Sequence, residues 1–380
     1  MRGTVDPQIQ LTMVTPDELV PAEHPIRGIK PIVDTALSEL DAIFDAMYSD
    51  VGRPSIPPEH LLKACLLMAF YSIRSERQFC ERMQYDILFK WFLDLDIDDL
   101  AWDQSTFAKN RERLLENEVS AHFFAAIREE AKRRHLLSRD HFTVDGTLLE
   151  AKASLKSLAP RPNLGGQHKK RNRGRGGRPR GGQTSGGGGS RNPEVNWRGE
   201  KRSNDTHFSA TDPEARLATK SPGQAAKLSF AGHLLMENRH GLVVDVDLTE
   251  ANGRAEREAA MRMLSRLRRS RRRGTVAGDK GFDTADFVNG VRDLGLTPHI
   301  AQNITAIRGS NIPYRISETP GYAISQRFRK RIEEIFGWFK TVGGMRKLRY
   351  VGVRRNRFWI EMTSSAYNLV RMNNLAAVAA

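Results

Sequence analysis

Cysteine is scarce in this sequence: Cys65 and Cys80 are the only two among 380 residues, and both fall in an apolar helical pattern. The sequence contains no CxxC pair and no cluster of cysteine with histidine. These absences exclude a zinc site built on cysteine. They also exclude the disulfide framework that supports many small secreted proteins.

Long hydrophobic runs are missing as well. The longest apolar run, ACLLMAFY at 64–71, is far shorter than the stretch of about 20 residues that spans a bilayer. The N-terminal segment MRGTVDPQIQLTMVTPDEL lacks the apolar core of a signal peptide. We therefore expect a cytoplasmic protein with no membrane partner.

Negative charge is in deficit. The sequence has 60 Lys and Arg residues against 45 Asp and Glu residues, which gives a net charge of +15 and a pI near 10.0. Lysine and arginine bind phosphates favourably because the contact releases counterions from the polyanion. The charge balance predicts nucleic acid as the partner, and an anionic membrane surface is the weaker interpretation.

The N-terminal third divides into an arm and a helical region. Residues 1–30 contain few periodic apolar positions and four prolines, which favours an arm. Residues 31–135 repeat apolar positions with helical spacing, so we interpret them as a helical domain for DNA binding or assembly. Within this domain Pro58 suits a helix start, and Ser75 and Ser105 are predicted N-caps.

Three basic residues lie on the predicted helix around STFAKNRERL: Lys109, Arg111 and Arg113. If the short helices form a helix-turn-helix, this last helix presents the three side chains to DNA. The alternative is that they form the solvent-exposed face of a packing helix. The sequence leaves both interpretations open.

Residues 161–194 form a low-complexity segment of glycine and basic residues, including GGQHKKRNRGRGGRPRGG. Such a composition cannot bury enough apolar surface to fold, so we predict a flexible basic insertion. Lys169, Lys170 and Arg171 near its start are expected to hold DNA through phosphates without reading bases.

Strands and helices alternate around this insertion. HFTVDG is a predicted strand, and KLSFAGHLLMEN and GLVVDVDLT are two more, joined by a turn at 238–241. A helix, the strand GTVAG, a second helix, the strand TPHIAQ, one long helix AISQRFRKRIEEIFGWFKTV and a final helix follow. This order predicts an α/β sheet domain made of residues 136–160 and 195–373.

Two acidic residues are predicted to end strands, Asp145 after the first and Asp279 after GTVAG. The carboxyl ends of strands lie at one edge of an α/β sheet, so the two side chains are expected to meet. Asp283, by contrast, is a predicted helix N-cap. Carboxylates without cysteine or histidine suit Mg²⁺ or Mn²⁺, and two such ions about 4 Å apart serve phosphoryl transfer. Paired acids also hydrolyse glycosides, but the positive charge favours DNA as the substrate.

Six stretches carry a family resemblance: TVDGTLLEAKAS, EKRSNDTH, TDPEARL, GDKGFDTADFV, RKRIEEIFGWFKTVGG and AYNLVRM. Together they resemble the bacterial DDE transposases of the insertion-sequence-five family, in the order in which that family has them. The segment PPEHLLKACLLMAFYSIRSERQFCERMQYDILFKWFL is similar to the N-terminal domain of the same family. The resemblance extends from about residue 10 to residue 373. It implies a ribonuclease-H-like catalytic domain preceded by a mostly α-helical domain.

The resemblance implies a triad of Asp145, Asp279 and a glutamate on the long helix. The last motif of the family is Tyr, two residues, Arg, three residues, Glu, six residues and Lys. On this chain it falls on Arg329, Glu333 and Lys340. By the same resemblance the two basic residues bind terminal DNA phosphates.

The tyrosine position of this motif is occupied by Gln326, which is a departure from the family. The choice of glutamate is also not settled by helical periodicity, because Glu333 and Glu334 flank the apolar stripe at equal angles. Only the spacing to Lys340 favours Glu333, and Glu334 is the alternative.

The activity implied is that of an enzyme that cuts the ends of its element. It then joins the 3′-hydroxyl ends to target DNA, with two Mg²⁺ or Mn²⁺ ions. The implied partners are terminal inverted repeats, target DNA and further copies of the chain in a dimer or larger assembly in the nucleoid. A nuclease that cuts without joining and a domesticated DNA-binding regulator without catalysis are the alternatives.

Overall fold

The computed structural model describes residues 13–48, 55–161, 202–221, 223–267, 274–305 and 309–379. The chain divides into two compact units. The first comprises Met1–Leu136, Val342–Gly344 and Met362–Ala380, and the second comprises Leu137–Thr341 and Met345–Glu361. The predicted basic insertion lies almost entirely outside the described residues.

The first unit is helical, as the apolar spacing predicts. Its helices before residue 137 are α1 (Pro16–Leu19), α2 (Ile26–Ser38), α3 (Asp41–Met47), α4 (Pro58–Phe70), α5 (Glu76–Met83), α6 (Ile87–Phe92), α7 (Gln104–Glu116) and α8 (Val119–Arg133). Helix α4 is apolar on every side, and its residues 61–69 are all buried. A helix without a polar face can only be accommodated in the interior, so α4 lies within the core of this unit.

The helix starts agree with the sequence in part. Ser75 caps α5, since its side chain accepts a hydrogen bond from the Gln78 backbone N–H at 3.3 Å. The predicted cap Ser105 is wrong, because Asp103 caps α7 by accepting from the backbone N–H groups of Ser105 and Thr106. Residues 13–30, which we interpreted as arm, include α1 and the start of α2, where Ile26 is buried.

The second unit is built on a mixed sheet. Its strands are β1 (His141–Glu150), β4 (Arg216–Ala218), β5 (Lys227–Glu237), β6 (Val243–Glu250), β7 (Thr275–Gly278) and β8 (Thr297–Ile300), with β2 (Leu158–Pro160) and β3 (His207–Ser209) forming a separate pair. The three-residue strands β2, β3 and β4 were not predicted, because segments this short show no measurable alternation of apolar and polar residues.

The strand order is β6, β5, β1, β7 and β8, with β4 also paired to β5. Strand β5 is antiparallel to β1 and β6, whereas β1, β7 and β8 are parallel. Gly241 lies in the turn between β5 and β6 with a φ of 72°, a conformation that favours glycine. This mixed sheet confirms the predicted α/β class and its ribonuclease-H-like arrangement.

Helices cover both faces of the sheet. They are α9 (Ala255–Arg266), α10 (Ala285–Asp293), α11 (Tyr314–Ser317), α12 (Pro320–Arg329), α13 (Arg331–Lys340) and α14 (Val353–Ala379). Phe142 and Val144 of β1 pack in one core with Met263 of α9 and Phe287 of α10. Because side chains alternate along a strand, the residues between them face the other side, where α13 contacts β1.

The single long helix predicted over AISQRFRKRIEEIFGWFKTV is wrong. The structure breaks it at Lys330 into α12 and α13. The interruption places Arg329 at the end of α12 and places Glu333 and Lys340 on α13. No helix in the described ranges is both long enough and apolar enough to cross a membrane.

Candidate active site

Asp145 and Asp279 come together because two parallel strands deliver them to the same level of the sheet. The last paired residues of β1 and β7 are Thr143 and Ala277, and each aspartate lies two residues further along its strand direction. Strand β7 ends at Gly278. The expectation that β1 ends at Asp145 is wrong, since β1 continues to Glu150 along β5. The edge of β1 beyond Thr143 is therefore left without β7 as its neighbour.

The Asp145 carboxylate is in an unfavourable electrostatic environment. Burial raises the pKa of Asp145 to about 7, and the negative charges of Glu256 and Asp279 act in the same direction. The hydrogen bond from the Gly146 N–H, at 2.8 Å to Oδ1, and the positive charge of Arg329 oppose this shift. A buried acid with acidic neighbours is suited to a bound cation, which would offset all three unfavourable effects.

Asp279 has a structural contact in addition to its charge. Its Oδ1 accepts the Gly281 N–H at 2.7 Å and begins a single turn of 3₁₀ helix, Lys280–Phe282. Asp279 therefore has a local structural role as well as a place in the site. A Cβ atom at Gly281 would lie 3.0 Å from Oδ1, so glycine permits this close approach. The contact uses one carboxylate oxygen and leaves Oδ2 for a ligand.

Glu256 is an acidic residue of this site that the sequence did not reveal. It lies in the first turn of α9, and a Cβ atom at Gly146 would lie only 2.6 Å from its Oε1. Burial raises the pKa of Glu256, and the charge of Asp279 adds to the effect. The only signal was an acidic residue at a helix start, which is ordinary because it complements the helix dipole.

The two basic residues of the last motif both interact with Asp145. Arg329 stabilises its negative charge, and Asp145 in turn favours the charged form of Lys340. The pKa of Lys340 is nevertheless lowered by burial and by the nearby charges of Lys220 and Arg346. The Lys340 Nζ donates a hydrogen bond to Thr147 Oγ1 at 2.5 Å. Thr147 follows Asp145 by two residues on β1, so this bond holds the ammonium near Asp145.

Gln326, at the position where the family motif has tyrosine, links Arg329 to the sheet. Its Nε2 donates to the His299 backbone carbonyl of β8 at 2.5 Å, and its Oε1 accepts from Arg329 Nε at 3.3 Å. The departure from the motif therefore retains a polar contact that orients the arginine.

Glu333 and Glu334 both lie in the first turn of α13, and both are exposed. Arg329 ends α12, whereas Glu333 and Lys340 both lie on α13. Within the ranges that the structure describes, no three acidic, histidine or cysteine side chains are arranged closely enough to hold a metal ion. The structure thus brings Asp145 and Asp279 together and does not choose the third acid.

Asp283 is not the N-cap of α10, contrary to the sequence interpretation, because Thr284 occupies that position. Its carboxylate instead accepts the backbone N–H groups of Asn303 at 2.7 Å and Asn311 at 2.8 Å. Burial alone would raise the pKa of Asp283, but these hydrogen bonds outweigh it and the pKa is lowered. Asp283 therefore holds the segment that follows β8.

The remaining predicted DNA contacts differ in their availability. Arg111 is buried and forms ion pairs with Glu76 and Glu112, so it does not point to a ligand. Lys109 and Arg113 are exposed on α7. The other three residues predicted to bind DNA, Lys169, Lys170 and Arg171, lie outside the described residues.

Two family models match this sequence. One, described as "Transposase domain (DUF772)", matches residues 14–113, and the other, described as "Transposase DDE domain", matches residues 198–369. No curated protein matches the sequence.

Three solved structures of transposases are similar to the chain at low sequence identity. The piggyBac transposase synaptic complex with hairpin DNA is 10% identical, with 93% of this chain and 76% of that chain covered and a TM-score of 0.40. The Mos1 mariner paired-end complex with Mn is 10% identical, with 88% and 84% covered and a TM-score of 0.19. The pre-cleavage Mos1 transpososome is 9% identical, with 93% and 98% covered and a TM-score of 0.20.

Proposed function

The chain belongs to the DDE transposases of the insertion-sequence-five type, and we propose that it cuts the ends of its element with Asp145 and Asp279. It then joins the released 3′-hydroxyl ends to target DNA. The observation that carries this proposal is the meeting of the two aspartates at the carboxyl side of the paired segment of β1 and β7.

The acids of this site fit a divalent cation. Asp145 and Asp279 provide oxygen donors, and the pKa of Asp145 is raised first by burial and then by nearby negative charges, which a cation would offset. Oxygen donors favour Mg²⁺ or Mn²⁺, and we propose two ions, held by Asp145, Asp279 and a third acid. When bound, such ions activate the attacking oxygen and stabilise the leaving oxygen of a phosphodiester.

The third acid of the proposed triad is Glu333, by its spacing to Lys340 in the family motif. Glu334 is the alternative on the same turn of α13. Glu256 is supported differently, by its interaction with Asp279 and its approach to Gly146. Exchange of each glutamate for glutamine, one at a time, distinguishes the three.

The basic residues of the site have a separate role in the proposal. Arg329 and Lys340 bind phosphates at the DNA end, and Arg329 can do so through two parallel hydrogen bonds. Hydrogen bonds from Arg329 to Gln326 and from Lys340 to Thr147 orient the two side chains before DNA arrives. Prior orientation reduces the entropy that binding would otherwise lose.

DNA outside the active site is held by further basic residues in this proposal. Lys109 and Arg113 on α7 are exposed and remain candidates, as do Lys169, Lys170 and Arg171. Arg111 is removed from the set by its ion pairs. Two element ends must be brought together, so we propose a dimer or a larger assembly on DNA in the nucleoid.

A strand-transfer assay tests the proposal. A labelled duplex carrying the terminal inverted repeat that flanks the gene is incubated with the full chain, a target plasmid and Mg²⁺. We expect cut ends and joined products for the wild type, and loss of both for Asp145→Asn. Asp293→Asn is the matched control, because Asp293 is an exposed aspartate at the end of α10.

Each alternative function has its own outcome in this assay. Cutting without joined products would indicate a nuclease, and binding without cutting would indicate a regulator. Full joining activity of the Asp145→Asn protein would overturn the assignment of the site.

A further inference from the structure

Helix α12 carries polar side chains on the face that it turns towards the sheet. Four residues with helical spacing share this face: Tyr322, Ser325, Gln326 and Arg329. A helix that packs on a sheet usually buries an apolar stripe against it. Because this face of α12 is polar although the helix contacts β7 and β8, its side chains require hydrogen-bond partners in the sheet.

His299 of β8 contacts three of these four side chains. Its ring pairs with the Ser325 hydroxyl, with 2.7 Å between Nδ1 and Oγ. The same ring meets the Tyr322 ring in a T-shaped contact, with 5.7 Å between the centroids. The backbone carbonyl of His299 accepts a hydrogen bond from Gln326 Nε2 at 2.5 Å. One residue of the strand therefore holds two successive turns of the helix.

The next residue of β8 completes the attachment. The Tyr322 hydroxyl donates to the backbone carbonyl of Ile300 at 2.8 Å. Hydrogen bonds have preferred directions, whereas apolar contacts do not. Three hydrogen bonds to two adjacent residues thus fix both the position of α12 along β8 and its rotation about its own axis.

Arg329 lies at the end of this attached face. Its Nε donates to Gln326 Oε1 at 3.3 Å, and its positive charge acts on Asp145. A free arginine side chain has many rotamers and loses this freedom when it binds. An arginine that is already oriented by its helix loses less, so the placement of α12 bears directly on phosphate binding.

His299 itself is not in a position to contact DNA, since it is only 6% exposed. Burial lowers the pKa of His299, and the charge of His141 acts in the same direction. An uncharged imidazole has one donor and one acceptor nitrogen, so it can pair with the Ser325 hydroxyl without a buried charge. An influence of His299 on the reaction therefore has to pass through α12.

We propose that His299 is a positioning residue for the transposition reaction: it fixes α12 on β8 so that Arg329 meets the DNA phosphate near Asp145 in one orientation. The inference rests on the proposed function, because that function brings the phosphate to Arg329. The role differs from that of Gln326, which contacts the arginine directly. The competing explanation is that His299 contributes only to the stability of the fold.

Duplexes with one neutral phosphate distinguish these explanations through binding. In the terminal-repeat duplex, each phosphate within three nucleotides of the cut is replaced in turn by an uncharged methylphosphonate. The affinity of the full chain is measured without divalent cations, so that no strand is cut. At the phosphate that Arg329 contacts, we expect the wild type to bind the neutral duplex about tenfold more weakly than the charged one, as for the loss of one hydrogen bond to a charged group. Arg329→Ala should abolish this ratio.

Three variants connect the ratio to His299. His299→Ala should lose most of it, because α12 no longer holds the arginine in place. His299→Asn should restore it, since the asparagine amide lies near the position of Nδ1. His207→Ala is the control, because it removes a buried histidine of β3 whose Nδ1 pairs with the Thr206 hydroxyl at 2.8 Å. The control should keep the full ratio, since a loss of stability alone weakens the binding of both duplexes equally.

The outcomes separate this inference from the proposed function. A full ratio in a folded His299→Ala protein overturns the inference and leaves cutting and joining untouched. The absence of a ratio at every position in the wild type also overturns it, whether or not that protein cuts DNA. Loss of the ratio in His207→Ala as well would assign the effect to the whole fold and overturn the inference.

A ratio that His299→Ala loses and His299→Asn restores supports the inference, even if the wild type fails to cut. If His299→Ala is unfolded by circular dichroism, Ser325→Ala replaces it. This variant removes only the hydroxyl partner of the imidazole. Loss of the ratio in Ser325→Ala supports the inference, and an unchanged ratio overturns it.

Discussion

Protonation of His233 should make the stability of this protein depend on pH. Burial lowers the pKa of His233 to about 4, and the charge of Asp247 only partly opposes the effect. In the unfolded chain the imidazole has its ordinary pKa of about 6.5. Between these two values the unfolded state binds more protons than the folded state, so the free energy of unfolding falls as the pH falls. The stabilising contribution is complete above pH 6.5 and is lost towards pH 4.

The magnitude follows from the two pKa values. Lowering the pH from 7.5 to 5 should cost about 2 kcal/mol of unfolding free energy through this one residue. Exchange of His233 for glutamine removes the titration and should remove this part of the pH dependence. The Gln side chain retains an amide that can pair with Thr249, so the fold is expected to tolerate it.

Urea unfolding at pH 7.5 and pH 5 provides the measurement. The quantity to compare is the loss of unfolding free energy between the two pH values, in the wild type and in His233→Gln. His122→Gln is the control, because His122 is exposed on α8 and its exchange should leave the wild-type loss unchanged. An equal loss in the wild type and in His233→Gln would refute the reasoning.

Three further predictions concern the site and the helical unit. Glu333→Gln should abolish strand joining while Glu334→Gln retains it, measured in the strand-transfer assay; the opposite result would exchange their roles. Gly146→Ala should reduce cutting roughly tenfold at unchanged duplex affinity, because its Cβ would lie 2.6 Å from the Glu256 carboxylate and would displace it from the site; wild-type rates would contradict this. Arg111→Ala should lower the free energy of unfolding by about 3 kcal/mol, because it removes a buried arginine and its ion pair with the partly buried Glu76, whereas exposed Lys109→Ala should change it by less than about 0.5 kcal/mol.

Residues with a local signal were predicted well. The cap at Ser75 could be predicted because capping involves groups only three residues apart. The helices of residues 31–135 could be predicted because apolar spacing is also a local pattern. The strands β5, β6, β7 and β8 also match, since alternation or a short apolar run is visible in the sequence itself. The prediction of the α7 cap failed because two suitable residues, Asp103 and Ser105, lie within the same turn.

The path of the long helix was not visible in its sequence. The segment QRFRKRIEE contains neither the proline nor the glycine that usually interrupts a helix. The structure nevertheless interrupts the helix at Lys330. The helix before the break lies on β7 and β8, and the helix after it contacts β1. The interruption therefore coincides with the packing of the two helices on different strands of the sheet.

Arg111 illustrates the same limit for charged residues. The sequence placed it between Lys109 and Arg113 as one of three equivalent bases. In the structure its side chain is buried against Glu76 of α5, whereas the other two are exposed. Which side of α7 faces α5 depends on tertiary packing, so the sequence could not distinguish an ion-paired arginine from one that is available to DNA.

By itself, the sequence determined the class of fold, the family and the meeting of Asp145 with Asp279, because these depend on local patterns and on motif spacing. Only the tertiary structure decided that β1 continues past Asp145 and that Glu256 approaches it across Gly146. Strand pairing and helix packing join residues that are distant in sequence, and they depend on the register of the sheet. A local pattern does not contain that register, so the approach of Glu256 to Gly146 could not be recognised before the chain was folded.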